Sequence, residues 1–333
     1  MYSQGTVLGP LLFLIMISDI DEEVQFSSVS MYADDTRIMK AVENQEDEEK
    51  LKTDLNSIYN WCGKNNMKFN ADKFELIVFA TKPKDQNKNY ISPEGKTILE
   101  KQNLRDLGIQ ISNNLKFNDQ IGIMVAKAQK MSGWILRTFK TREKVPLMIL
   151  YKQMVRGILE YCCPLWSPID KGMIDLIESV QKSFTRRLKG LSGEKRPDYC
   201  ERLKILKIYS LERRRERYII IYIFKTMCDL VPNPGFIVRK NDRTGPTLQV
   251  PIKTSEMNIP NPIYDRTLIV QGSKIFNILP KEIRENIGRD NINIIKTMLD
   301  NFLKTVPDQP TCYNTKRQAN SNSLLDQIQY RSI

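Results

Sequence analysis

The chain has 333 residues, of which 41% are hydrophobic and 27% charged, a composition typical of globular proteins and unlike collagen-like or wholly disordered chains. It contains no histidine, which excludes Ser-His-Asp and Cys-His nucleophile triads, imidazole zinc sites and nucleases with a histidine base. Any chemistry must therefore use carboxylates, lysines, hydroxyls or thiols.

The charge is distributed unevenly along the chain. Residues 1–119 carry a net charge of −5, residues 120–230 a net charge of +12 and residues 231–333 a net charge of +5. This pattern predicts a carboxylate-bearing site followed by a polyanion-binding region, although basic residues that only solvate helix surfaces are the alternative. Six cysteines without a C-x-x-C pair predict reduced thiols in a nuclear or cytoplasmic protein, and no apolar run is long enough to span a membrane.

Strand and helix signals alternate through residues 1–118, which predicts an α+β domain. The first predicted elements are a buried helix over 6–20 and a hairpin of strands 27–33 and 36–39 joined by Asp34-Asp35. An amphipathic helix follows, with the apolar stripe Leu51, Leu55, Ile58 and Trp61, and ends at Asn65-Asn66. The last are a second hairpin of strands 67–69 and 74–79 and a strand over 104–112.

Helical periodicity dominates after residue 118. It predicts a basic all-helical region over 119–230, in which Lys127, Lys130 and Arg137 lie largely off the apolar face of the first helix. We expect these three side chains to contact the nucleic-acid backbone. Six prolines predict a linker over 231–270. A C-terminal helical segment over 271–305 and a disordered polar tail over 306–333 complete the predicted organisation.

The segment with the clearest chemical meaning is Tyr32-Ala33-Asp34-Asp35, at the predicted hairpin. Neighbouring carboxylates at the tip of a tight hairpin are suitable ligands for hard divalent cations such as Mg²⁺. Asp residues also tolerate turn geometry, so an Asp-Asp turn without a catalytic role is the alternative for this segment alone.

Three further segments accompany it in order: SQGTVLGPLLF at 3–13, NMKFNADKFELIVF at 66–79 and LGIQIS at 107–112. Together the four segments resemble motifs B, C, D and E of the reverse transcriptases of non-LTR (LINE-type) retrotransposons. The later stretch YKQMVRGILEYCCPLW at 151–166 looks like part of their thumb. The resemblance covers residues 1–230 and implies a partial polymerase palm followed by a helical thumb; a group II intron maturase shares YADD but is less similar around it.

The resemblance implies a role for each matching residue. It makes Asp34 and Asp35 the metal-binding and catalytic carboxylates, with Mg²⁺ or alternatively Mn²⁺ as the cofactor, and Lys73 the proton donor to pyrophosphate; a solvated turn lysine is the alternative for Lys73. Two metal ions would stabilise the attacking and leaving oxygens of nucleotidyl transfer. The residues implied to contact nucleotide and template are Gln4, Gly5, Tyr32 and Ala33. Trp61 belongs to the apolar stripe and is expected in the core.

The same resemblance also shows a departure. The motif A aspartate, a metal ligand in the family, precedes motif B, whereas motif B begins here at residue 3, and neither Asp19 nor Asp21 has a motif context that could replace it. We therefore expect an N-terminally truncated polymerase that does not incorporate nucleotides by itself. We also expect an exposed apolar edge where the palm sheet lacks a partner strand, and hence a tendency to aggregate.

Three functions remain open at this point. The first is an RNA-directed DNA polymerase fragment whose partners are an RNA template, a DNA primer and dNTP. The second is a non-catalytic nucleic-acid-binding relic, in which the basic helices still hold phosphates. The third is a structural helical protein with a coincidental YADD, which predicts no affinity for nucleic acid at low salt.

Overall fold

The computed structural model describes residues 7–80, 90–191, 197–241, 243–254, 260–288, 291–310 and 322–329. The fold is α+β, with many packed helices and small antiparallel two-stranded sheets. The chain divides into two compact units, Met1–Leu104 and Arg105–Ile333. Residues 105–118, which the sequence pattern groups with the first domain, fall in the second unit, because Ile109, Ile111 and Phe117 pack into its core.

Over residues 7–80 and 90–104, the first unit contains two helices, two short helical turns and two small hairpins. In chain order these are α1 Gly9–Ile17, a 3₁₀ turn Ile20–Glu23, β1 Ser28–Tyr32, β2 Asp35–Met39, α2 Gln45–Lys64, a 3₁₀ turn Ala71–Lys73, β3 Tyr90–Ile91 and β4 Thr97–Ile98. The pairs β1–β2 and β3–β4 are antiparallel.

The core of this unit is small. Five buried residues of the described chain form it: Ile17, Ile20, Ile58, Trp61 and Cys62. Helix α2 lies where its pattern predicts, because the Asn44 side chain accepts a hydrogen bond from the Asp47 backbone N–H at 2.9 Å and acidic residues fill the first turn. Trp61 is in the core, as expected, at 2% exposure.

The predicted second hairpin is wrong. Neither 67–69 nor 74–79 forms a strand; Leu76 makes one isolated parallel bridge to Glu100, and the aromatic rings of Tyr59, Phe69 and Phe74 pack edge to face with centroids 5.5–6.0 Å apart. The FELIVF run lacks the alternation of apolar and polar residues that a half-buried strand needs, and side-chain packing holds it instead.

The second unit begins at Arg105, within the first strand of another short hairpin. Its elements are β5 Asn103–Asp106, β6 Ile109–Ser112, α3 Asn118–Thr138, α4 Lys144–Leu150, a π-helical turn Tyr151–Val155, α5 Arg156–Glu160, α6 Cys163–Trp166, α7 Lys171–Thr185, α8 Tyr199–Leu206, α9 Leu211–Met227, β7 Val238–Arg239, β8 Thr247–Leu248, α10 Asn261–Tyr264, α11 Leu268–Asn277, α12 Lys281–Arg284, α13 Ile292–Thr305 and α14 Leu324–Gln329.

In the described part of this unit, two hydrophobic clusters form the core. The first lies among α3, the α4–α5 region and α7, and includes Phe184 and Trp166. A buried network of polar side chains crosses the same region: Tyr151 Oη donates to Gln181 Oε1 at 3.0 Å, and Gln181 Nε2 donates to Tyr199 Oη at 3.0 Å. Tyr199 Oη in turn donates to Glu178. Each of these polar groups thereby has a hydrogen-bond partner away from water.

The second cluster joins α9 to the C-terminal elements, including Phe224, Phe276, Leu299 and Leu324. The predicted linker over 231–270 therefore contains β7, β8, α10 and the first residues of α11, and packs against the cluster rather than leading away from it. Disorder is also wrong for 322–329, where α14 forms and Leu324 is fully buried. Burial of one apolar side chain outweighs the polar composition of this short segment.

Candidate functional site

The hairpin β1–β2 carries the two candidate carboxylates. Its register pairs Tyr32 with Asp35, so the loop consists of Ala33 and Asp34, one residue earlier than the sequence pattern predicts. Asp34 therefore lies at the tip and Asp35 is the first residue of β2. Ala33 takes a left-handed conformation with φ of 52°, which a two-residue hairpin loop needs and which a non-glycine residue adopts at a steric cost.

The alternation of the strands separates a core face from an open face. Met31 and Ile38 pack against the core of the first unit, while Tyr32 and Asp35, which are paired, lie on the other face. Tyr32 is 65% exposed, and Ala33, Asp34 and Asp35 are exposed as well. The arrangement presents two adjacent carboxylates and one aromatic ring to solvent at one end of the hairpin.

A buried aspartate fixes the start of this hairpin. The Asp54 carboxylate, on α2, accepts hydrogen bonds from the backbone N–H groups of Gln25 and Phe26 at 3.0 and 3.1 Å. Asp54 is 1% exposed, so these bonds are shielded from water and attach the segment before β1 to α2. The sequence pattern did not predict a structural role for Asp54. Its burial and its hydrogen bonds in the structure reveal that role.

Lys73 does not reach the carboxylates. It ends the 3₁₀ turn Ala71–Lys73, its backbone N–H donates to Asn70 O at 3.0 Å, and its side chain is exposed. Within the described residues, no ion pair of 4.0 Å or less joins Lys73 to Asp34 or Asp35, whereas the neighbouring Asp72 pairs with Lys96 at 2.9 Å. The structure therefore leaves the proton-donor role of Lys73 as a prediction.

The predicted nucleotide and template contacts divide into two groups. Gln4 and Gly5 lie outside the described residues. Tyr32 and Ala33 lie beside the carboxylates on the hairpin, as their place in the motif requires.

The carboxylates meet only part of what a divalent cation needs. Their oxygens are the hard ligands that Mg²⁺ prefers, and a stable site takes several of them. Over the ranges that the structure describes, no group of three or more Asp, Glu or Cys side chains is placed to hold a metal. A divalent cation held at this hairpin would therefore need further ligands to complete its coordination shell.

A second candidate surface lies on α3, in the other unit. Lys127, Lys130 and Arg137 are all exposed, and the exposed Ile123 and Trp134 lie on the same side of the helix, because these five residues follow one another at spacings of four, three, four and three. We call these five residues the α3 stripe. Trp134 is 45% exposed and meets Phe139 edge to face at 6.4 Å.

The α3 stripe combines three cations with an exposed aromatic ring. Its cations can pair with phosphates, and an exposed indole ring can stack on a base. Trp134 was not predicted as a site residue, although its helical spacing relative to Lys127, Lys130 and Arg137 could have identified it. The opposite face of α3 enters the core through Ile121, among other residues, so the helix is firmly held.

Comparison with known proteins bears on the first unit. Residues 1–111 match the model of one protein family, described as reverse transcriptase (RNA-dependent DNA polymerase). This region is similar to a reverse transcriptase. The match covers both the Asp34-Asp35 hairpin and Lys73, and it supports the family that the motifs indicate for this third of the chain.

The other comparisons give no further relative. No curated protein and no solved structure matches the chain. Over the described residues, no helix is long and apolar enough to cross a membrane. The family match is therefore the comparison that bears on function, and it concerns the unit that carries the two carboxylates.

Proposed function

We propose that residues 1–111 are part of the palm of a non-LTR retrotransposon reverse transcriptase, and that the chain is a fragment of an RNA-directed DNA polymerase. The observation that carries the proposal is the exposed Asp34-Asp35 pair on a two-residue hairpin, inside the region that matches the reverse transcriptase family. In the intact enzyme, the two carboxylates would bind Mg²⁺, and the partners would be an RNA template, a DNA primer and dNTP.

The isolated chain is not expected to polymerise. Two carboxylates on one hairpin leave a divalent cation under-coordinated, and within the described residues no third acidic side chain joins them. What this chain can supply by itself is one part of a cation site and the α3 stripe. Binding of nucleic acid without extension is accordingly the activity that we propose for the protein alone, which is also what a non-catalytic relic would do.

A primer-extension assay tests the catalytic part. The full chain is incubated with an RNA template annealed to a DNA primer, with dNTP and either Mg²⁺ or Mn²⁺, and we expect no lengthening of the primer. Extension that disappears in Asp34→Asn and Asp35→Asn variants would show instead that the chain is an active polymerase. Extension that survives in both variants would point to a contaminating enzyme.

Fluorescence anisotropy tests the binding part. We expect the chain to bind an RNA–DNA hybrid at low salt, with an affinity that falls steeply as salt is raised. The plot of log K against log salt has a negative slope. Combined replacement of Lys127, Lys130 and Arg137 by alanine should make this slope less steep by about 2–3, since each lost phosphate contact removes about 0.9 from its magnitude. No affinity at low salt would instead favour a purely structural protein.

A matched control removes the same charge elsewhere in the same unit. Lys171, Lys204 and Lys304 are exposed and lie on α7, α8 and α13 rather than on α3. Their combined replacement by alanine should leave most of the salt slope in place. An equal loss of slope in the two triple variants would show that binding depends on net charge and not on the α3 stripe.

A further inference from the structure

A cavity of about 380 Å³ lies in the second unit, next to one face of α9. Glu212, Arg215, Glu216 and Ile219 face it, at spacings of three, one and three along the helix. The remaining walls come from the segment around α6, from α7, from α11 and from α14. The cavity therefore lies among elements that the hydrophobic cores of this unit hold in place.

Arg215 is the unusual residue of this cavity. It is 1% exposed, yet its Nε and Nη1 atoms have no hydrogen-bond partner among the described residues. The described ion pairs of the same helix are made by Arg213, Arg214 and Arg217. Glu178 and Glu212 interact with Arg215 electrostatically but form no ion pair with it within the described chain. A buried guanidinium without a partner is costly, so a partner from outside the chain would relieve that cost.

A second guanidinium points to the same conclusion. Arg266, just before α11, lines the cavity, and its Nε atom is buried without a hydrogen-bond partner in the described residues. Arg266 and Arg215 come from segments far apart in sequence, and both line the same cavity. Two guanidiniums with unused N–H groups form an arrangement that suits the oxygens of a carboxylate or phosphate.

Three carboxyl groups also line the cavity, but among the described residues no ion pair joins any of them to Arg215 or Arg266. Burial raises the pKa of Glu216 to about 8, and its Oε2 atom lies 3.4 Å from Arg213 Nε, so its ion-pair partner is Arg213 and not Arg215. Its Oε1 atom accepts from the Leu324 backbone N–H at 2.8 Å, while Oε2 has no hydrogen bond among the described residues. Burial also raises the pKa of Glu212. Asp326 lines the cavity too, and its carboxylate accepts from the Ser323 hydroxyl at 3.2 Å.

The other part of the lining is apolar. Aliphatic side chains reach the cavity from several different elements or segments, namely Ile169, Ile174, Ile219, Leu268, Ile275 and Leu325. Such a wall favours an apolar body, while polar groups at one side set its orientation. An occupant that used both parts of the lining would have an anionic head and an aliphatic tail.

We propose that this cavity is a binding site for an organic anion that carries a carboxylate or phosphate monoester head on an aliphatic tail, with the head on Arg215 and Arg266. The site is independent of the Asp34-Asp35 hairpin, which belongs to the other unit.

Isothermal titration calorimetry on the full chain tests the site with octanoate and octyl phosphate as probes. We expect at least one of them to bind, and the tighter of the two identifies the head group. Octan-1-ol should bind about tenfold more weakly or worse, because it cannot replace the charge-assisted hydrogen bonds. Binding of neither anion, or equal binding of octan-1-ol, would overturn the proposal. Inorganic phosphate that binds as tightly as octyl phosphate would overturn the role of the apolar wall.

Two variants test the residues. Arg215→Met should weaken binding of the anion about tenfold or more, and it should leave Tm unchanged or raise it, because it removes a buried charge that lacks a partner. Arg266→Met, on a partly exposed residue, should also weaken binding and keeps the test available if Arg215→Met does not fold. If neither substitution changes the affinity for the anion, the anionic head group does not bind Arg215 and Arg266.

Arg213→Met is the matched control. Arg213 is fully buried on the same helix, but its Nη2 atom donates to Pro307 O at 3.0 Å and to Asn322 O at 3.1 Å. We expect this variant to lower Tm, because two buried carbonyl groups lose their donor. If Arg215→Met lowered Tm by a similar amount, Arg215 would have a partner within the chain and the proposed site would be wrong.

Discussion

The two units differ in how much of their apolar surface they bury. In the described part of the second unit, two large clusters bury such residues as Phe184, Trp166 and Phe276. The first unit has the five-residue core around Trp61, while α1 exposes most of its apolar side chains, including Leu11 at 55% and Ile15 at 63%. The unit that carries the recognisable motif is thus the one with less core of its own.

The part of the chain that matches a known family is therefore not the part with the larger hydrophobic core. The family match ends at residue 111, close to the end of the first unit, and includes the Asp34-Asp35 hairpin. The second unit is held by packing, which many sequences can achieve without a shared motif. We therefore expect the second unit to unfold at a higher free energy than the first, and hydrogen exchange of the backbone amides can compare the two directly.

The largest effect is expected from the core of the second unit. Phe276 is fully buried and packs against Phe224 with ring centroids 5.5 Å apart. Phe276→Ala should lower the free energy of unfolding by about 4 kcal/mol, because it removes a ring and leaves a cavity. Denaturant unfolding measures the loss.

Phe26→Ala is the control for that substitution, since Phe26 lies in the first unit and is 44% exposed. It should lower the free energy of unfolding by less than about 1 kcal/mol. Similar losses in the two variants would remove the contrast between the units.

The next effect concerns pH and the second unit. Burial raises the pKa of Glu178 to about 7, against the opposing influence of the Tyr199 hydrogen bond and of Arg215. The pKa of Glu178 in the folded chain thus lies above the ordinary value of 4.5, so the folded state binds the proton more tightly than the unfolded state does. The contribution of this protonated side chain to the free energy of unfolding is complete below pH 4.5 and is lost as pH rises towards 7. The free energy of unfolding should therefore fall by on the order of 3 kcal/mol across this window.

Glu178→Gln tests this assignment, because glutamine is neutral at every pH. The variant should show a shallower fall in stability between pH 5 and about pH 7, measured by Tm at each pH. An unchanged pH dependence would assign the effect to other groups, of which Glu216 is the first candidate, since burial raises its pKa to about 8.

The particular elements show which features a sequence pattern can predict. Helix α2 is predictable because its cap, its acidic first turn and its apolar stripe are all local signals. The YADD hairpin is predictable as a hairpin, but its loop is displaced by one residue, because the pairing of Tyr32 with Asp35 is set by both strands together. In segment 74–79, Phe74 packs edge to face against Tyr59 of α2, a contact that the sequence of the segment does not encode by itself.

The three consecutive arginines of α9 mark the limit of such prediction. Arg213, Arg214 and Arg215 are identical in type and adjacent in sequence, yet Arg213 and Arg214 have ion-pair partners and Arg215 has none among the described residues. Helical geometry turns each by about 100° from the last, and what each then meets is decided by elements distant in sequence. The candidate carboxylates were accessible to motif analysis; the α9 cavity was not.

A moderate effect is expected within the first unit. Asp54→Ala should lower the free energy of unfolding of this unit by about 2 kcal/mol, because the backbone N–H groups of Gln25 and Phe26 lose their buried acceptor. Asp54→Asn retains one acceptor oxygen and should cost less. Exchange of the β1 and β2 amides is the measurement, and it should accelerate while that of the second unit stays unchanged; acceleration in both units would show that they unfold together.

The smallest effect on stability is expected on α1, where charge should alter association instead. Leu11→Lys with Ile15→Lys should change the free energy of unfolding by no more than about 0.5 kcal/mol, since both side chains are mainly in solvent, and should lower self-association of the chain in sedimentation experiments. Ile17→Lys, at the one buried position of the helix, is the control and should destabilise the first unit. A large loss of stability in the double variant would mean that Leu11 and Ile15 are covered within the chain, and the contrast between a self-sufficient second unit and an incompletely buried first unit would then fail.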